Sequence, residues 1–441
     1  MTAQPSDDAH LEAGGRYGAL RSNALSGLLR RHRALVVVVA IGFLLRLAWF
    51  LHAHPEPVSD FWAYHRIAEN ILDRGFMGVE GPSATDMPAH PLLLAGLMVV
   101  SRSTWWLSLA MVGLSTAATV LVYLLARRLT GHAVVALVAA ALYAFGPTQV
   151  LYAPVLGSEH LFVLFVLGAL LAALRVRGQT PWVAVGVGVL SGLALLTRGE
   201  MTFYVPIVLG LVWVSAQGAS TVARWRMVAL TAGALTLVVS PWLIRNAEVF
   251  GPEVGLSTVT GMNFWFGHRA DGYGFTEDVP WPRDDEVAAN RVGWELGLAS
   301  IRQDPASVLV SIREGTQRLF STPEYALIWS TQQAIPGKPM VPNVRHVRFA
   351  GIIETGLTAA AAFSLSMAFV SFLTWTMWGR SLRLVALGFL ASSWLGHAVL
   401  FFGHPRFRYT LDVLFTILVA IALVALWERA RPAGLPDATA D

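Results

Sequence analysis

Asp60, Asp86, Glu159 and Glu200 are carboxylic acids placed beside long apolar runs, and Arg198, Arg245, Arg406 and Arg408 are guanidiniums in similar places. A positioned carboxylate can take a proton from a hydroxyl. A guanidinium meets phosphate oxygens with two parallel N–H donors. The two residue types together point to chemistry in which a hydroxyl is activated and an anionic head group is held; the competing reading is that they pair with one another as structural ion pairs. Asp60 opens Ser59-Asp60-Phe61-Trp62-Ala63-Tyr64-His65-Arg66, and Asp60, Tyr64, Ala68 and Leu72 recur at a four-residue interval along one helix face. The alternative role for Asp60 is a plain N-cap at the positive end of a helix. Further along, Asp86-Met87-Pro88-Ala89-His90-Pro91 starts a second short apolar helix. Asp86 and His90 are candidate ligands for a divalent metal, against the plainer reading of His90 as a structural hydrogen-bonder.

The elements that must position these groups are membrane spans. Hydrophobic residues make up 55% of the 441 and charged ones 14%, far below the roughly 25% of a soluble domain. That excludes an ordinary soluble protein and a disordered one. No cysteine is present, so disulfides, thiolate metal sites and a Cys nucleophile are excluded. The net charge of +4 comes without a basic stripe, and no nucleic-acid partner is expected. Ten apolar runs are long enough to be read as transmembrane helices, at about 34–51, 104–126, 133–152, 156–174, 181–197, 200–216, 227–244, 351–375, 384–402 and 409–427. The first is expected to be an anchor rather than a removed signal peptide. The expected fold is therefore all-α and polytopic, with interfacial helices in a first outer loop at 52–103 and a mainly helical outer loop at 245–350, whose helices are expected at 285–303 and 305–321. The segments 1–33 and 428–441 are expected to be cytoplasmic tails.

Orientation follows the basic residues of short loops. Arg30, Arg31 and Arg33, then Arg127 and Arg128, Arg175 and Arg177, Arg224 and Arg226, Arg380 and Arg383, and Arg429 and Arg431 all fall on one side, which is read as the cytoplasm. Outside the tails, every Asp and Glu falls on the other side or at that end of a span. Polar residues collecting in two large loops explains most of these acids, but not Glu159, Glu200, Glu354 and Asp412 at span ends. Ionisable groups at membrane depth point to function, so the chemistry is expected on the outer face. Arg46 is the one charge near the middle of a span, expected to snorkel or to pair.

With these pieces in hand, the chain resembles the integral-membrane glycosyltransferases of the C superfamily, in particular the bacterial branch related to protein O-mannosyltransferases and lipid A aminoarabinose transferases. The matching pieces are Asp60-x3-Tyr64-x3-Ala68-x3-Leu72-x2-Gly75-Phe76, the Pro88–Pro91 turn, Ser158-Glu159, Arg198-x-Glu200, Trp242-x2-Arg245-Asn246, Gly261-Met262-Asn263-Phe264-Trp265-x-Gly267 and Arg406-x-Arg408-Tyr409, in that order. The resemblance implies a polyprenyl-phosphate-sugar donor and transfer of its sugar, with inversion, to a hydroxyl on the outer face. It implies that Asp60 is the catalytic acid of the first outer loop, that Glu159 is the second acid, and that Arg245, Arg406 and Arg408, with Arg198, hold the donor phosphate. Tyr64, His90, Glu200, Asn263, His268 and Tyr409 are expected to line the substrate cleft. The chain departs from the protein mannosyltransferases in having Phe61 rather than Glu after the acid, and no large soluble C-terminal domain; His268 stands where relatives often have Asn. The first two departures weaken a protein as the acceptor, and a glycan, lipid or protein all stay open.

The implied reaction agrees with the residues. A phosphate leaving group wants cations rather than a general acid, and the acceptor hydroxyl wants one base, assigned to Asp60 with Glu159 as an orienting partner. A glycosidase would want two carboxyls flanking the bond and would leave the arginines without a role. The rival class is a transporter or flippase of a lipid-linked or anionic substrate. Transporters tend to show repeat symmetry and midplane charges; no repeat is visible here, and Arg46 is the one charge near mid-span. No hydrolase elbow or zinc motif is found, and Asp284-Asp285-Glu286 reads as a solvated helix start rather than a nucleotide-sugar site. Lys338 is the only lysine, a bias typical of a GC-rich bacterial genome, so the expected location is a bacterial inner membrane.

Overall fold

The computed structural model describes residues 33–430 apart from 270, 271, 277, 283, 336, 337 and 345–349. The expected tails, with Arg30, Arg31 and Arg431, lie almost wholly outside the described residues. The described chain is helical almost throughout, and six helices are long and apolar enough to cross a membrane: Arg33–Ala53, Thr104–Thr130, Thr221–Phe250, Gly351–Trp375, Arg380–Leu400 and Pro405–Ala430. The polytopic all-helical expectation is met. The other four expected spans are occupied by shorter helices, Ala133–Phe145, Glu159–Ala173, Pro181–Leu195 and Met201–Ser215.

The run expected at 133–152 is not one continuous helix. Gly146 turns to φ −57°, ψ 130°, and a short helix restarts at Pro147–Leu151. Proline drives the residue before it out of the α region and has no N–H to continue the ladder. The break frees carbonyl groups at the C-terminal end of Ala133–Phe145, and Arg46 uses them. Its guanidinium donates to the carbonyls of Ala144 (2.7 Å), Gly42 (2.9 Å) and Tyr143 (3.2 Å) and to Ser115 Oγ (3.0 Å). Arg46 is wholly buried. It neither snorkels nor meets an acid, and the negative end of a helix takes the place of a counter-ion.

Helix packing in the bundle uses small residues. Gly188 and Gly192, one turn apart on Pro181–Leu195, sit against Thr221–Phe250 so closely that a Cβ on either would strike the Thr231 carbonyl or Val238. Without a hydrophobic drive between helices in lipid, such close backbone approach supplies the contact.

Two long connections lie on one face of the bundle. The first carries the helices Asp60–Arg74 and Ala89–Met98. Asp60–Arg74 presents Phe61, Tyr64, Ile67 and Ala68 inward, the stripe expected of an interfacial helix. It ends at Gly75, whose φ of 72° suits a residue without a Cβ. The second carries Thr260–His268, Glu286–Gln303 and Ser307–Leu319, the last two close to the expected 285–303 and 305–321, then Tyr325–Ser330. A two-stranded antiparallel hairpin, Gln332–Ile335 with Lys338–Val344, is the non-helical element among the described residues. The Glu56 N–H donates to the Gln332 carbonyl, tying this hairpin to the first connection.

Candidate active site

Four pieces of chain meet on the face that bears the two connections. Asp60 is the first residue of its helix, Glu159 the first of Glu159–Ala173, Arg198 lies in the turn after Pro181–Leu195, and Arg406 sits in the 3-10 turn Pro405–Arg408. The turn into Glu159 passes through Gly157, where a Cβ would run into Tyr152 Oη and Glu159 Oε2. Only glycine leaves room for these two groups to meet.

Glu159 is the hub. Its Oε1 accepts from Arg406 Nε (2.5 Å) and Arg198 Nη1 (2.6 Å), and its Oε2 accepts from Tyr152 Oη (2.8 Å). It is 1% exposed. Arg406 also donates from Nη1 to Asp60 Oδ2 at 2.6 Å, and its guanidinium lies 5.0 Å from the Phe61 ring centre. The Asp60 side chain is 51% exposed. Arg198 also donates to Ser158 Oγ (2.9 Å), and its Nε lies 3.5 Å from Glu200. Glu200 accepts from Thr410 Oγ1 at 3.4 Å, and His397 Nε2 lies 3.4 Å from it. Two buried guanidiniums therefore serve three carboxylates, and the only one of these acids open to solvent is Asp60. Both oxygens of Glu159 already accept hydrogen bonds, whereas Asp60 keeps an exposed carboxylate.

Several expected site residues stand elsewhere. Arg408 is 2% exposed and points away from this corner: Nε donates to Asp412 (2.8 Å) and Nη1 to the carbonyls of Leu319 and Ser321 (3.1 Å each). It caps the end of Ser307–Leu319. Arg245 donates to the Ser83 carbonyl and Asn246 Oδ1 (2.9 Å each) and stacks over Trp242 and Phe250, so it clamps the first connection rather than facing Asp60. His268 is buried on its own helix, Nδ1 2.9 Å from the Phe264 carbonyl and its ring stacked on Phe264. Asn263 shares that helix. Tyr409 is 1% exposed, its Oη 3.5 Å from His160 Nδ1 and its ring 5.4 Å from that of Tyr152.

Tyr64 is buried one turn from Asp60, and burial raises its phenol above the usual range, with Asp60 adding to the effect. His90 meets the Tyr64 ring edge-on at 5.1 Å, and its Nε2 lies 3.0 Å from the Leu156 carbonyl. Burial holds its pKa down to about 4, so the ring is neutral and donates to that carbonyl. His90 thus fixes the loop that leads to Glu159. Asp86 keeps some accessible surface. Among the described residues its side-chain partner is Thr85 Oγ1 at 3.3 Å, and burial followed by the Asp60 charge pushes its pKa up to about 7. Among the described residues no group of three His, Asp or Glu side chains comes close enough to hold a metal ion, and the His90 Nε2 is already engaged.

Tyr152 and His397 are site residues that the sequence pattern does not flag. Both lie inside apolar runs with no nearby motif, and only the fold aims them at Glu159 and Glu200.

Residues 85–244 match the family described as dolichyl-phosphate-mannose-protein mannosyltransferase. That stretch contains Asp86, His90, Glu159, Arg198 and Glu200 but neither Asp60 nor Arg406. Among solved structures, the oligosaccharyltransferase of Archaeoglobus fulgidus superposes with a TM-score of 0.53 in its apo form, at 13% identity, over 90% of this chain and 51% of that one. Its complex with zinc and sulfate gives 0.50 at 15% identity, over 89% of this chain and 49% of that one. ArnT from Cupriavidus metallidurans bound to undecaprenyl phosphate gives 0.41 at 14% identity, over 89% and 77%. The chain spans about half the length of the archaeal enzyme. No curated protein matches it. The resemblance read from the sequence is borne out in these terms: the fold is shared with the archaeal oligosaccharyltransferase, and residues 85–244 match the mannosyltransferase family.

Proposed function

We propose that this protein is a membrane glycosyltransferase that moves a sugar from a polyprenyl-phosphate-sugar to a hydroxyl of a cell-envelope acceptor, with inversion, on the outer face of a bacterial inner membrane. The observation that carries the reading is the corner in which Arg406 bridges the half-exposed Asp60 and the buried Glu159. The family that residues 85–244 match supports the lipid-phosphate donor, since its description names dolichyl-phosphate-mannose.

In this reading Asp60 takes the proton of the acceptor hydroxyl as its oxygen attacks the anomeric carbon. The bond from that carbon to the phosphate oxygen breaks, and the negative charge that gathers on the phosphate is met by Arg406. Glu159, with Arg198 and Tyr152 behind it, holds the Arg406 side chain in place before the reaction, so little reorganisation is left for the transition state. With both Glu159 oxygens occupied there is one reactive carboxylate, which suits a single displacement and not a glycosidase pair. The connection 245–350 is proposed as a separate outer unit that covers the corner, with spans one to seven before it and eight to ten after it.

The test is incubation of the purified protein with a panel of polyprenyl-phosphate-sugars and an envelope extract, followed by mass spectrometry for released polyprenyl phosphate. Release that depends on both substrates supports the reading. A transporter or flippase would release none.

A further inference from the structure

Each of the four arginines expected to hold phosphate is already engaged by protein oxygens. Arg318, which no sequence motif marks, is not: among the described residues its exposed guanidinium has no acid partner and lies over the Tyr273 ring at 5.2 Å. It belongs to the last turn of Ser307–Leu319. The perch is tied to the catalytic corner. Tyr273 Oη accepts the N–H of Gly403 at 2.5 Å, and Gly315, one turn before Arg318, packs directly on the Gly403 backbone.

Between Gly403 and Arg406 stands His404. Its Nδ1 accepts the Arg406 N–H at 3.2 Å, which leaves any ring proton on Nε2. Burial, then the Arg406 and Arg318 charges, hold its pKa down to about 4, so His404 is a neutral donor flanked by two cations. An anion arriving here meets one free guanidinium, one neutral N–H donor and one guanidinium that it must share. Arg406 is held unequally: its Glu159 limb is buried, while its Asp60 limb reaches a carboxylate 51% exposed to water. Exposed ion pairs are weak, so the Asp60 limb is the one a competing anion can take.

We infer that Arg318 receives the lipid phosphate of the donor at the Arg318–His404–Arg406 corner, and that this phosphate takes Arg406 from Asp60, so that the base is freed as the donor is seated. The inference rests on the proposed function and assigns its phosphate subsite. It also explains an otherwise awkward feature of the resting structure, in which the base is tied to a cation. As the bond to the anomeric carbon breaks, the phosphate changes from a diester to a more highly charged monoester, and its hold on both guanidiniums strengthens, which favours the transition state over the bound donor.

The experiment measures undecaprenyl phosphate binding, and carbodiimide labelling of Asp60 by mass spectrometry, in the wild type and in Arg318→Gln. Asp73, exposed and paired with Arg102, is the internal control. In the wild type, undecaprenyl phosphate raises labelling of Asp60 and not of Asp73, while undecaprenol and inorganic phosphate leave both unchanged. Arg318→Gln binds the lipid phosphate roughly tenfold more weakly, the equivalent of one charge-assisted hydrogen bond, and keeps the wild-type unfolding temperature. If the wild type does not bind undecaprenyl phosphate, the proposed function itself fails. If it binds but Asp60 labelling stays flat, or Arg318→Gln binds equally well, this inference is overturned and the function stands. Release of Asp60 by inorganic phosphate alone would assign the corner to a free anion and overturn the lipid assignment.

Discussion

Glu159 and Asp60 share one arginine yet should fail in opposite ways when neutralised. Glu159→Gln keeps the shape and removes the charge that Arg198 and Arg406 share at 2.6 and 2.5 Å in a site 1% exposed. Breaking a buried pair from one side costs about 3–5 kcal/mol. Each guanidinium keeps a second acid, Glu200 for Arg198 and Asp60 for Arg406, so the lower figure, about 3 kcal/mol, applies. Asp60→Asn removes an acid that is half in water, and a pair of that kind is worth about 1 kcal/mol or less. Its loss of turnover is the larger effect, about 10²- to 10⁴-fold, the usual value of a positioned base. Unfolding in detergent followed by tryptophan fluorescence, alongside polyprenyl phosphate release, separates the two. Asp60→Asn should unfold close to the wild type and be nearly inactive, and Glu159→Gln should unfold early. A stable Glu159→Gln protein, or an Asp60→Asn protein that is active or grossly destabilised, would refute the division of labour between hub and base.

Arg408→Ala should lower stability, by about 3 kcal/mol for the buried Asp412 left unpaired, and its residual folded fraction should show an unchanged donor KM, because Arg408 faces Asp412 and the end of Ser307–Leu319. Asp86, whose pKa is pushed up from 3.8 to about 7, binds its proton more tightly folded than unfolded, so stability should fall as pH rises from about 4 to about 7 and level off above. Asp86→Asn should flatten that slope, and unfolding midpoints from pH 4 to 8 check it. In this cysteine-free chain, Gln303→Cys should react with an impermeant thiol reagent from outside intact spheroplasts and Gln179→Cys should not; the reverse would invert the topology.

What the sequence could disclose depended on range. Apolar runs and their flanking arginines are local signals, and they located the helices, apart from the break that Pro147 imposes on the third. The chemistry-bearing acids and Arg198 and Arg406 were legible because charge beside an apolar run is rare, and the structure brings Asp60, Glu159, Arg198, Glu200 and Arg406 together. The same rule misdirected Arg408, whose partner Asp412 is one turn away and whose other acceptors are carbonyls at a distant helix end. A sequence does not show which carbonyls a helix leaves free. That is also why the partners of Arg46 were illegible until the helix break beside Ala144 was seen. Tyr152, His397 and Arg318 take their meaning from contacts 7 to 197 residues away or from the absence of a partner, and neither leaves a local trace.

The account rests on one reactive carboxylate acting in a single displacement. Its most direct test is the anomeric configuration of the transferred sugar, read by NMR on product made from a donor of known configuration. Inversion is the predicted result. Retention would require two displacements through a covalent glycosyl-enzyme intermediate, with Asp60 as nucleophile rather than base, and would contradict the assignment.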